Sequence, residues 1–93
     1  MFRARTVIRD PIFDQLVQAL ADDVERLDEM LDAIEWAVAT RPEWYTEVPK
    51  TILRFILTDP FPGAPRMRVY FSIDDENTCT LRWIEYAHDP DAD

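Results

Sequence analysis

The residues best suited to chemistry gather in the last third of the chain. In Arg66-Met67-Arg68-Val69-Tyr70-Phe71-Ser72-Ile73-Asp74, apolar and polar residues alternate strictly. That period of two is the signal of a half-buried strand. Met67, Val69, Phe71 and Ile73 are expected on one face, and Arg66, Arg68, Tyr70, Ser72 and Asp74 on the other. Asp75-Glu76-Asn77 reads as a polar turn, and Thr78 to Ala87 as the returning strand. Cys79, Leu81 and Trp83 then join the apolar face, while Thr80, Arg82, Ile84, Tyr86 and His88 join the polar one. A three-residue turn sets Tyr70 opposite Arg82 and Arg66 opposite Tyr86. Three arginines, two tyrosines and the only histidine share one surface in this register. Arginine takes carboxylate or phosphate in a bidentate grip, so the chemistry on offer is the holding of an anion. Cross-strand pairing with acids such as Glu85 or Asp74 is the competing use of the same arginines.

The elements that position this surface are legible in outline. Residues 3–9 read as a first strand. Asp10-Pro11 starts a helix, with Asp10 as N-cap and Pro11 in the first turn; Ile12, Phe13, Leu16, Val17 and Leu20 form its apolar stripe. Asp22 and Glu25 stand at capping-box spacing and read as the start of a second helix. Val24, Leu27, Leu31, Ile34 and Val38 make its seam at alternating steps of three and four. The double aspartate favours an antiparallel helical hairpin over one kinked helix. Trp36 falls on the far side of the second helix among Glu25, Glu29 and Asp32. It is either covered by the Pro42-Glu43-Trp44-Tyr45 segment or offered to a partner. Residues 41–50 read as a connector. Thr51 to Thr58 is a strand apolar on both faces, hence expected to be central in the sheet. Asp59 to Pro65 reads as a stiff loop and the tail after His88 as frayed. The expected fold class is α+β: an N-terminal strand, a helical hairpin, then an antiparallel sheet of three or more strands, with the helices on one face.

Ninety-three residues fit one domain, 1–93, with a small core. No apolar run is long enough to span a bilayer, and Met1-Phe2-Arg3-Ala4-Arg5 lacks the apolar stretch of a signal peptide. A cytoplasmic location and no membrane partner are therefore expected. One cysteine and one histidine leave no metal-ligand cluster, and Cys79 on an apolar face reads as a buried thiol. One glycine leaves no nucleotide-binding loop, so no cofactor is expected. A net charge of −9 argues against generic nucleic-acid binding, which needs a basic surface. The charge is uneven, however. Residues 10–35 hold nine acids against Arg26 alone, whereas residues 50–73 hold Lys50, Arg54, Arg66 and Arg68 against Asp59. Arg54 thus adds to the anion-holding set.

Two stretches carry a family likeness. Asp10-Pro11-Ile12-Phe13-Asp14-Gln15-Leu16 after a short strand resembles the opening of the RelE/ParE toxin superfamily. Pro65 to Asn77 resembles its central hairpin, with an arginine at the strand start, an aromatic run and an acidic turn. Leu81 to His88 resembles its last strand. The resemblance implies a toxin of a type II toxin–antitoxin pair, bound by a small antitoxin protein. RelE-like members cut mRNA on the ribosome and ParE-like members poison DNA gyrase. In the cutting branch a ribose 2′-hydroxyl attacks the adjacent phosphate, which needs cations on the phosphate and an acid and a base. Carried over by position, Arg68, His88 and Tyr86 are the catalytic candidates, with Glu85 a looser one. Arg66, Arg82 and Arg54 are the phosphate-binding candidates. The chain departs from the ribonuclease branch in its acidity and in the Asp-Pro-Asp-Ala-Asp that follows His88.

Three functions are thereby open. One is a RelE/ParE-like protein acting mainly by protein binding, through its antitoxin or a cellular target, with weak or absent ribonuclease activity. Trp36 and Tyr70 are its partner-binding candidates, since interfaces favour Trp, Tyr and Arg. Another is a ribosome-dependent mRNA-cleaving toxin. The third is a stand-alone interaction module unrelated to toxins. The departures favour the first.

Overall fold

The computed structural model describes residues 4–59 and 65–87. The start of the first strand at Arg3, most of the 59–65 loop, His88 and the tail lie outside the described residues. The chain is α+β, with two α-helices and a five-stranded mixed sheet. In chain order the elements are β1 (Thr6–Arg9), α1 (Pro11–Leu20), α2 (Leu27–Thr40), a single 3-10 turn (Pro42–Trp44), β2 (Thr46–Glu47), β3 (Leu53–Leu57), β4 (Met67–Ile73) and β5 (Thr78–Tyr86). The sheet order is β1-β5-β4-β3-β2. β1 runs parallel to β5 and the remaining pairs are antiparallel. β4, rather than the 51–58 strand, is therefore central.

α1 forms as its sequence demands. The Asp10 carboxylate accepts the Ile12 N–H at 2.9 Å, Pro11 opens the first turn, and Phe13 is fully buried. α2 begins later than the Asp22–Glu25 capping box predicts. Residues 21–26 are turns, and Arg26 is the N-cap in the left-handed region, φ 59°. A residue at that φ cannot continue a right-handed helix backwards, so α2 starts at Leu27. The seam itself holds: Val24, Leu27, Leu31, Ile34 and Val38 are all buried, Val24 from the turn. They share one core with Phe13, Met30, Ile56, Met67, Val69, Phe71, Cys79, Leu81 and Ile84.

The β4–β5 hairpin keeps the expected register only near its turn. Ile73 pairs with Cys79, and Phe71 with Leu81. The register then shifts by one, and Tyr70 faces Trp83 rather than Arg82. Arg82 is the extra residue of a β-bulge, so Arg82 and Trp83 fall together on the face away from the core. Past the bulge the faces exchange, as a one-residue slip requires. Trp83, expected inside, is 44% exposed, and Ile84, expected outside, is 2% exposed. Tyr86 stands opposite the buried Met67, on the core side of the sheet rather than beside the arginines, because directly opposed residues share a face.

β2 is an edge strand of two residues within the expected connector. The chain turns between it and β3 through Val48-Pro49-Lys50-Thr51, where the Thr51 N–H donates to the Val48 carbonyl at 3.2 Å. Lys50 has φ 64°. Proline second and a positive φ third are the pattern of a type II turn.

Candidate functional site

The bulge decides what Arg82 does. Its Nε donates to the buried Ser72 hydroxyl at 3.0 Å, and its two terminal nitrogens reach Asp10 at 3.4 Å and Asp74 at 3.5 Å. Ser72 donates in turn to Asp74 at 2.8 Å, and Thr80 donates to the other Asp74 oxygen. Partial burial opposes ionisation of Asp74. The two hydroxyl donors and the Arg82 charge together outweigh it, so the Asp74 pKa lies below the ordinary aspartate value. Because Asp10 also caps α1, this network ties the start of α1 to the sheet. Arg82, expected as a phosphate binder, is thus paired with two carboxylates.

Arg54 is spent as well. It bonds the Glu47 carboxylate at 2.7 Å and the carbonyls of Tyr45 and Glu43 at 2.8 and 3.3 Å. Its work is to brace the segment that follows α2. Arg68 points to the face away from the core, as expected. Its guanidinium carbon lies 5.4 Å from the Phe55 ring centroid, and its Nε is buried without a hydrogen-bond partner. It stands opposite Glu85. Arg66 is exposed just before β4. Arg68 and Ser72, where Arg82 is anchored, are four residues apart on one strand, about 13 Å at the usual rise. Arg68 and the anchored Arg82 are therefore well separated along β4. Tyr86 stands on the other face, and His88 lies outside the described residues. Cys79 is fully buried, and burial pushes its thiol pKa up, so it is a protonated core residue.

What the outer face does carry is aromatic. Trp83, Tyr70 and Phe55 are consecutive register partners across β5, β4 and β3, and the Phe55 and Tyr70 rings lie 6.2 Å apart. Tyr70, a partner-binding candidate, is the middle of this row. An apolar groove of about 410 Å³ runs between α2 and β3, lined by Met30, Ile34, Ile56 and Leu57 among others.

The second aromatic site lies at the end of α2. Trp36 is 59% and Trp44 75% exposed, so the 42–45 segment does not cover Trp36. Instead Arg41 lies against both indoles, with its guanidinium carbon 5.1 Å from the Trp36 ring and 4.9 Å from the Trp44 ring. Pro42 is buried and stops α2, and the 3-10 turn brings Trp44 back toward the helix. The three side chains, with Thr40 and Glu43, line a concavity of about 430 Å³. Glu43 is ion-paired with Arg5. A backbone N–H at Glu43 and the Arg5 guanidinium hold its carboxyl below the usual glutamate range. Sequence reasoning found Trp36, named Trp44 only within a segment that would cover it, and missed Arg41. The signal was their spacing of five and three across the proline that ends the helix.

Among the described residues no group of three or more His, Cys, Asp or Glu is placed to hold a metal ion, and no helix is long and apolar enough to cross a membrane. No protein-family model matches the chain, and neither a curated protein nor a solved structure matches it.

Proposed function

We propose that the chain is a RelE/ParE-like toxin-family protein that acts mainly by binding another protein, an antitoxin or a cellular target, and has little or no ribonuclease activity. The element order supports the family reading: a strand, two helices, then the hairpin carrying the arginine-started aromatic run. In this reading the helices form a hairpin over one face of the sheet. The observation that carries the binding reading is the fate of the arginines. Arg82 and Arg54 are held by acids and carbonyls, while Trp36, Trp44 and Trp83 are exposed. Phosphate cleavage needs several cations converging on one group; protein interfaces need exposed Trp, Tyr and Arg.

Induced expression in a bacterium, with and without a short open reading frame adjacent to the gene, tests this. The expected result is growth arrest relieved by the neighbour, with the two products purifying as one stoichiometric complex. Absence of both arrest and complex contradicts the reading and leaves the stand-alone module.

A further inference from the structure

We infer that Trp36, Arg41 and Trp44 form a clasp for a single acidic side chain, an Asp or Glu set among apolar residues of a partner polypeptide. The inference rests on the protein-binding reading above and names the chemistry of the partner.

The first argument is the state of Arg41. Arg5, Arg9, Arg26, Arg54 and Arg82 each pair with a carboxylate. Arg41, among the described residues, touches two indoles and no acid, and its Nε is buried without a hydrogen-bond partner. A guanidinium stacked on aromatic faces keeps its in-plane N–H groups for an anion. The second argument is the walls. Two tryptophans more than half exposed present apolar area on either side of that cation's edge, and such a set binds amphipathic rather than purely polar groups. The third is the rigidity of the platform. Arg54 donates to the Glu43 and Tyr45 carbonyls on either side of Trp44, and the Tyr45 ring packs edge-on against the buried Phe71 at 6.1 Å. A pre-set platform loses little entropy on binding.

Charge chooses the ligand. Arg5 and Arg41 against Glu43 leave one net positive charge at the clasp. Asp32 and Glu35 lie on the same helix within about one turn of Trp36, inside a Debye length of about 10 Å. One carboxylate is neutralised there and a polyanion is repelled. Capture of a chain's C-terminal carboxylate uses a nest of backbone N–H groups with left-handed residues. The left-handed non-glycine residues among those described are Arg26 and Lys50, neither of them at the clasp, which favours a side-chain carboxylate over a chain terminus.

The test uses the full chain carrying Trp83→Phe, which confines indole fluorescence to Trp36 and Trp44. The probe is the blocked peptide acetyl-Ala-Leu-Glu-Phe-Ala-amide, titrated beside its Gln counterpart and a Gln peptide with a free C-terminus. The expected result is a saturable emission change with the Glu peptide. Either Gln peptide should bind at least about tenfold more weakly, the loss of one charge-assisted contact. Changing the peptide leaves the protein's fold untouched. Arg41→Gln should abolish the preference for Glu, and Arg41→Lys should restore it in part. Equal binding of the blocked Glu and Gln peptides overturns the inference, as does tighter binding of the free C-terminus, or no binding at all. If Arg41→Gln binds the neighbouring protein as tightly as the unchanged clasp does, the clasp is refuted and the protein-binding reading stands.

Discussion

At the scale of single residues, Arg82 shows how one inserted position changes chemistry. In an unbroken hairpin it would stand free on an open face. In the bulge it joins Asp10, Ser72 and Asp74, and its charge becomes structural. Arg82→Ala strips the buried Ser72 of its donor and two carboxylates of their cation. Denaturant unfolding should show a loss of about 1–2 kcal/mol, the partly exposed ion pairs adding little to the hydrogen bond. Asp74 makes the same network pH-dependent. Its pKa in the folded chain lies below the ordinary value it has when unfolded. The unfolded chain therefore binds the proton more readily, and Asp74 contributes stability that is complete above the ordinary aspartate value. That stability is lost as the pH falls through the depressed folded value. Asp74→Asn should thus destabilise at neutral pH. The gap between variant and wild type should shrink as the pH falls from the ordinary aspartate value through the depressed folded one, and a gap unchanged across that acid interval would exclude the mechanism.

At the scale of elements, two predictions separate packing from backbone strain. Leu31 is 2% exposed in the middle of the α2 seam, and Leu31→Ala should cost about 2–5 kcal/mol in equilibrium unfolding. Lys50 holds a left-handed φ of 64° that a side chain resists. Lys50→Gly relieves that strain but enlarges the unfolded ensemble, so the expected net gain is about 0.5–1 kcal/mol, read as a higher denaturant midpoint. The seam was legible in the sequence because its spacing of three and four belongs to a helix alone. The capping box was not, since Asp22 and Glu25 match a helix start equally well when the chain is still turning. The bulge was hidden for a similar reason. Trp83 and Ile84 are apolar neighbours, so one of them must face outward with or without an insertion, and no glycine marks the place. β2 spans two residues, too short for any period, and the parallel β1–β5 pairing joins segments about seventy residues apart.

At the scale of the whole molecule, the chain divides its charge between structure and surface. The described arginines mostly hold the fold together, and Trp36, Trp44 and Trp83 stay exposed, which is what the proposed binding reading rests on. The candidate site was therefore half legible. Alternation placed Arg68 and Tyr70 outward, but only the register could show that Arg82 is enclosed by acids and that Tyr86 belongs to the other face. Trp36 announced itself by lying among acids on the far side of α2, whereas Arg41 and Trp44 are brought to it by the turn at Pro42. The central claim is that this surface binds protein and does not cut RNA. A ribosome-dependent mRNA cleavage assay with the purified chain tests it most directly. Intact mRNA, from a protein that still arrests growth and binds its neighbour, is the predicted result. Cleavage by the wild type, lost in a folded Arg68→Ala variant, would contradict it.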